Sequence, residues 1–177
     1  VIVFDPKGDA GLLRRVYAAA KRAGRAKDFY MFHLGVPEVS ARYNAIGNFS
    51  RITEVATRIA NQLPSEGNSA AFKEFAWRFV NIIARALVAL ERRPDYQQVR
   101  RYINDIEPLF MEYARAHLDA HSAEDWKEQV EELADAISER NLPAALRGRN
   151  REAIALMRHL QSQDLYDPVL DGLVSAF

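Results

Sequence analysis

Between Phe72 and Leu90 the chain carries Phe72, Phe75, Ala76, Phe79, Ile82, Ile83, Ala86, Leu87 and Leu90. Apolar residues recurring every three or four positions make one continuous face only on an α-helix. The stripe is too wide for a helix resting on a surface. The spacing therefore predicts a central helix over 69–92, ended by Pro94. Such a helix needs others to cover it, and a helical bundle is the simplest way to supply them.

The flanking sequence has the matching pattern. Ser50 is placed to cap a helix bearing Ile52, Val55, Ala56, Ile59 and Leu63, stopped by Pro64; "SEGNS" then reads as a polar turn. Asp95 and Gln98 make a box-like start for a helix with Val99, Tyr102, Ile103 and Ile106. Pro108 opens the next, with Leu109, Phe110, Tyr113 and Ala114. Ser122 and Asp125 open an acidic helix over 122–140. Trp126, Val130, Leu133 and Ile137 share one face of it, opposite Glu124, Glu128, Glu131, Glu132, Asp135 and Glu139. Pro143 and Gly148 bracket a short helical stretch, followed by a helix with Ile154, Met157 and Leu160. Asp167 and Pro168 cap a last stripe of Val169, Leu170, Leu173, Val174 and Phe177, still running where the sequence stops. The fold expected for 46–177 is mainly α, a bundle of about six to seven helices.

The first 45 residues read differently. "VIVF" (1–4) suits a strand buried on both faces, and Pro6 and Gly8 break it. Asp9 is placed to cap a helix carrying Leu12, Leu13, Val16, Tyr17 and Ala20, with Gly24 at its end. "DFYMFHLG" (28–35) reads as a second strand. The result is a βαβ unit over 1–45. Two strands alone make a poor sheet, so this lead-in and the running C-terminal stripe both read as parts of something larger.

Composition narrows the function. The chain has 177 residues and no cysteine, which removes disulfides and thiolate metal sites. No apolar run approaches the roughly 20 residues of a membrane span, and the first residues lack the pattern expected of a signal peptide. Net charge is zero but uneven: residues 1–60 hold ten Lys/Arg against five Asp/Glu, residues 121–177 six against eleven. One basic and one acidic region is one consequence; solvated helix faces are the other. No G-x-x-x-x-G-K-[ST] loop is present, so this chain alone cannot hold ATP in the P-loop manner.

Four constellations bear on chemistry. Asp5 ends a strand at the edge where α/β folds place ligands. A carboxylate there either orients an attacking water or, with Asp9, merely forms the turn. Arg14, Arg15, Lys21, Arg22, Arg25 and Lys27 follow it, and with Arg51, Arg58 and the basic spot Arg147, Arg149 and Arg151 are the candidates for phosphate contact. Glu124, Glu128, Glu131, Glu132 and Asp135 are the candidates for protein docking. His117 and His121 have the spacing of a metal-ligand pair, but no third ligand has a forced position, so no metal site is assigned.

"VIVFDPKGDAGLL", "FHLG", "YNAIGNFSRITEVATRIANQLPSEGNSAAFKEFAWRFVNIIARAL" and "LYDPVLDGLVSAF" resemble the conjugative coupling proteins of the TraD/TraG type, over essentially the whole chain. The "DPKGD" turn alone is also similar to that of the related FtsK-like DNA translocases. The resemblance implies a membrane-anchored, hexameric, DNA-dependent ATPase at the cytoplasmic face of the bacterial inner membrane. Such a protein links relaxase and DNA to a type IV secretion channel. Each subunit has a RecA-like nucleotide-binding domain with an inserted all-α domain. This chain looks like that insertion (46–177), preceded by a βαβ remnant of the RecA-like core (1–45).

By the same resemblance Asp5 matches an acidic residue close to the γ-phosphate and the attacking water, and Lys7 matches the lysine of the same turn. ATP and Mg belong to the whole protein, with no cofactor and no catalysis expected of this chain alone. The implied partners are relaxase, other relaxosome proteins and DNA, and the secretion channel through the whole protein; the excised piece is expected to be a monomer. The family shows Asn-Pro where this chain has Asn44-Ala45, a departure expected to loosen that turn. Rival readings are a DNA-binding module of a related FtsK-like DNA translocase and a stand-alone helical interaction domain.

Overall fold

A computed structural model describes residues 1–64, 67, 69–122 and 125–176. Eight α-helices lie among them: α1 (Ala10–Arg22), α2 (Thr53–Ala60), α3 (Ser69–Ala89), α4 (Tyr96–Asn104), α5 (Glu107–His121), α6 (Trp126–Ala136), α7 (Arg151–Ser162) and α8 (Pro168–Ser175). Single 3-10 turns form at Ala26–Asp28, Glu139–Asn141 and Ala144–Leu146. The chain divides into two compact units, Val1–Tyr43 and Asn44–Phe177. No helix of the described residues is long and apolar enough to cross a membrane.

The second unit is a helix bundle. Contacts run in a row, α2 to α3, α3 to α5, α5 to α7 and α7 to α6, while α4 and α8 each touch both α3 and α5. One core threads all seven helices, with Val55, Ile83, Leu87, Leu109, Phe110, Leu118, Ile154, Leu156, Leu160, Leu170 and Leu173 fully buried. Burying a Leu or Phe side chain contributes roughly 1.5–3 kcal/mol each, which is why the periodic positions dictate the packing. Gly172 lets α8 approach α3 closely: a Cβ there would lie 2.9 Å from Cγ1 of Ile82.

Four helix starts carry the capping chemistry of their sequence. The Asp95 side chain accepts the Gln98 N–H, Asp125 that of Lys127, Asn150 that of Glu152, and Asp167 those of Val169 and Leu170. Ser50 does not cap α2 with its hydroxyl. Instead Glu54 reaches back, and its Oε1 accepts from the N–H of Ser50 (3.3 Å) and Arg51 (3.1 Å).

Several boundaries differ from expectation. The central helix ends at Ala89, not residue 92, because Glu91 turns left-handed (φ 59°) and the Arg92 N–H closes back on Leu87. Phe72 and Phe75 were expected in the core but are 62% and 66% exposed. The acidic helix stops at Ala136, which puts Glu139 in a separate turn. Glu124, Phe177 and part of "SEGNS" lie outside the described residues.

In the first unit α1 forms as its sequence dictates: Asp9 accepts the Gly11 N–H at 2.7 Å, and Gly24 takes the left-handed φ of 69° past the end. The βαβ reading is not met, for no strand is found among the described residues. Residues 1–4 are apolar chain without regular secondary structure, with every side chain exposed. Around 28–35 the N–H of Ala41 bonds Met31 (2.6 Å) and Tyr17 meets Phe29 edge-on at 5.3 Å, without a ladder. A strand is stabilised by neighbours that satisfy its backbone and cover its faces, and this unit supplies none.

Candidate docking surface on α6

The two sides of α6 do different work. Trp126 and Val130 are buried against the core, and α7 packs alongside. The Trp126 indole N–H donates to Asp119 on α5 at 3.1 Å, which fixes the ring despite its burial. Lys127 lies over that ring, 5.4 Å from its centre, with Nζ 3.5 Å from the same Asp119. On the other side Glu128, Glu131, Glu132 and Asp135 are all exposed. Among the described residues none of the four has a cation within ion-pair distance.

A groove of about 440 Å³ opens between α5, α6 and α7, lined by Arg115, Trp126, Lys127, Val130, Glu131, Ala134 and Glu152. Its size is that of a ligand cleft. Arg115 is engaged across it, with Nε donating to Glu152 Oε1 at 2.9 Å. Lys127 is engaged by Asp119. Glu131 is the lining charge left over.

The basic candidates separate into different roles. Arg147, Arg149 and Arg151 differ in their surroundings. Arg147 Nε turns back to the Leu142 carbonyl (3.1 Å), Arg149 is half-buried, and only Arg151, which opens α7, is an exposed helical residue. Arg58 is a clamp. Its Nη1 donates to the carbonyls of Ala45 (3.0 Å) and Asn48 (2.6 Å), and its Nη2 to Glu54 (2.8 Å). Arg93 holds the same loop through the Gly47 carbonyl (2.7 Å) and the Asn48 side chain. Asn44 Nδ2 adds a bond to the Pro94 carbonyl at 2.8 Å, while Ile46 is fully buried. These bonds hold the Asn44-Ala45 turn. Arg51 is exposed before α2.

In the first unit Arg14, Arg15, Lys21 and Arg22 are exposed on α1. At 3.6 residues per turn they fall within roughly a third of its circumference. Arg25 pairs with Asp28 at 3.2 Å, and Lys27 is exposed. Asp5 closes its own turn. Its carboxylate accepts the N–H groups of Lys7 (3.1 Å), Gly8 (3.0 Å) and Asp9 (2.6 Å), all exposed. The Lys7 side chain is exposed as well.

Residue spacing paired His117 with His121 but missed the cluster they belong to. Tyr113, His117 and His121 stack along α5, at 6.1 Å and 4.2 Å between ring centres. Their partner is Asp167, which receives the Tyr113 hydroxyl at 2.6 Å and lies 3.6 Å from His117 Nδ1. Burial foremost, then the hydrogen bond to Asp167 and its charge, hold the Tyr113 hydroxyl protonated well beyond the usual tyrosine range. Tyr166 is shifted in the same direction by burial and then by Asp171. The i, i+4, i+8 run of rings was the available signal; nothing local pointed to Asp167. Among the described residues no group of three His, Cys, Asp or Glu is placed to hold a metal ion.

No family model matches this chain, and neither a curated protein nor a solved structure does.

Proposed function

We propose that residues 46–177 are the all-α substrate-recognition domain of a conjugative coupling protein, and that residues 1–45 lead in from its RecA-like nucleotide-binding core. The domain docks relaxosome protein for a hexameric, ATP-driven translocase at the cytoplasmic face of the inner membrane, which feeds a type IV secretion channel. ATP, Mg and hydrolysis belong to the whole protein. The observation that carries this reading is the row of unpaired, exposed carboxylates Glu128, Glu131, Glu132 and Asp135 beside a groove on α6. Charges so placed set encounter rate and partner choice without being needed for the fold. The exposed apolar side chains Val1, Ile2, Phe4, Phe32 and Leu34 support the lead-in, because they suit strands whose sheet partners lie outside this chain. Reversing Glu128, Glu131 and Glu132 to lysine weakens binding to the relaxase of the same conjugative element by about tenfold or more, with the fold intact by circular dichroism. Unchanged relaxase affinity would remove the assignment.

The arc of Arg14, Arg15, Lys21 and Arg22 favours a second contact, with DNA, from the first unit. Each phosphate neutralised steepens the fall of affinity with salt by about 0.9 in the log–log slope. Replacing Arg14 and Lys21 with alanine flattens that slope. A slope that is flat already in the unaltered chain rules the contact out.

A further inference from the structure

We infer that the groove between α5, α6 and α7 receives a peptide segment in which Lys or Arg flanks a leucine-sized apolar side chain. The inference rests on the docking reading above and names the chemistry of the docked element. The floor of the groove is apolar, formed by Trp126, Val130 and Ala134. The cations on its walls are already spoken for: Arg115 by Glu152 and Lys127 by Asp119. Its remaining charge is Glu131, with Glu128, Glu132 and Asp135 on the exposed face of the same helix. A purely apolar ligand would cover the floor and leave Glu131 beside it without a counter-charge. A phosphate-bearing or acidic ligand would meet Glu131, with both lining cations already engaged by Glu152 and Asp119. A basic residue pairs with Glu131 at the rim while its apolar neighbour covers Ala134, beside the buried Trp126 and Val130, and a volume of about 440 Å³ has room for both.

The test uses the 177-residue chain and three labelled peptides, each about four helical turns long. One sets lysine beside leucine along one face, one glutamate beside leucine, and one lysine beside serine. Fluorescence anisotropy is expected to show the lysine–leucine peptide binding at least about tenfold tighter than either counterpart. Glu131→Lys removes about tenfold of that affinity, and Ala134→Trp, which fills the floor without altering charge, removes it as well. Asp164→Lys with Asp171→Lys, a larger charge change on residues outside the groove lining, leaves it unchanged. Equal binding of the three peptides overturns the inference, as does indifference to Glu131→Lys or an equal loss in the distant control. Should Ala134→Trp fail to fold, the exposed Glu131→Lys decides alone. If α6 reversal abolishes relaxase binding while the peptides show no preference, this inference fails and the docking reading stands. If the peptides bind as expected and relaxase is indifferent to the reversal, the docking reading fails instead.

Discussion

The Tyr113 hydroxyl donates a 2.6 Å hydrogen bond to Asp167, tying the middle of α5 to the residue that caps α8. The same carboxylate uses its other oxygen to cap α8, accepting the N–H groups of Val169 (2.8 Å) and Leu170 (2.7 Å). One side chain therefore satisfies a helix end and a tyrosine that is itself only 8% exposed. Asp167→Ala is expected to cost about 2–3 kcal/mol, a cap plus an orphaned hydroxyl. Tyr113→Phe costs about 1 kcal/mol, and the double variant less than the sum. Urea unfolding of the four proteins measures it. Additivity would mean that the two groups do not depend on each other.

Burial of the Tyr113 hydroxyl, and then the same bond, makes the bundle sensitive to alkali. The Tyr113 proton is held more tightly in the folded chain than in the unfolded chain, where tyrosine ionises near pH 10. The stabilising contribution is therefore fully present below pH 10. It is lost as pH rises beyond that value, because the unfolded state gives up its proton first. Urea midpoints between about pH 8 and 11 are expected to fall at the upper end, and less steeply in Tyr113→Phe. Tyr166, raised in the same direction, leaves a residual slope in that variant. Tyrosinate absorbance in folded protein should lag that of the unfolded chain.

Arg58 and Arg14 look alike as basic residues of the first sixty positions, but they sit in different chemistry. Arg58 holds two carbonyls and a carboxylate of its own chain; Arg14 is exposed on α1. Arg58→Ala is expected to lower stability by about 1–3 kcal/mol and to leave the salt dependence of DNA binding unchanged. Arg58→Lys rescues little, since an ammonium cannot span the three acceptors in the guanidinium plane. Arg14→Ala does the reverse: stability within about 0.5 kcal/mol, and a shallower salt slope. Chemical denaturation and salt titration on the same two proteins separate the roles.

The comparison shows which parts of the structure are written locally. The helices from α2 to α8 are legible because a 3.6-residue period is a local property, and the caps Asp95 and Asp167 because a cap acts within three residues. The strands of the lead-in were not, because a strand exists only with a neighbour, and "VIVF" carries no information about whether this chain provides one. The acidic face of α6 was legible as charge. The groove beside it depends on Arg115 and Glu152, which come from α5 and α7 and meet only in the fold. That Arg58 bonds the carbonyls of Ala45 and Asn48 and the Glu54 carboxylate was not legible, because a cation that holds its own chain and one left exposed have the same local sequence signature. Tyr113 and Asp167 lie 54 positions apart, beyond the reach of any spacing rule.

The stripe on α3 gives the sharpest contrast between period and burial. Phe72, Phe75 and Leu87 lie on one helical pattern, yet Leu87 is fully buried and the two phenylalanines are mostly exposed. Leu87→Ala removes packed methyl groups and leaves a cavity, for a loss of about 2–5 kcal/mol. Phe72→Ser removes little buried area and is expected to change stability by no more than about 0.5 kcal/mol. Phe75 falls between them, because its ring stacks on Phe79 at 6.1 Å with the planes 11° apart. Truncating it to serine should cost about 0.5–1 kcal/mol. Thermal or urea unfolding of the three single variants measures the order. A loss at Phe72 comparable with that at Leu87 would mean that the first turns of α3 are covered in solution, and that their exposed aromatic face is not available to anything outside the chain.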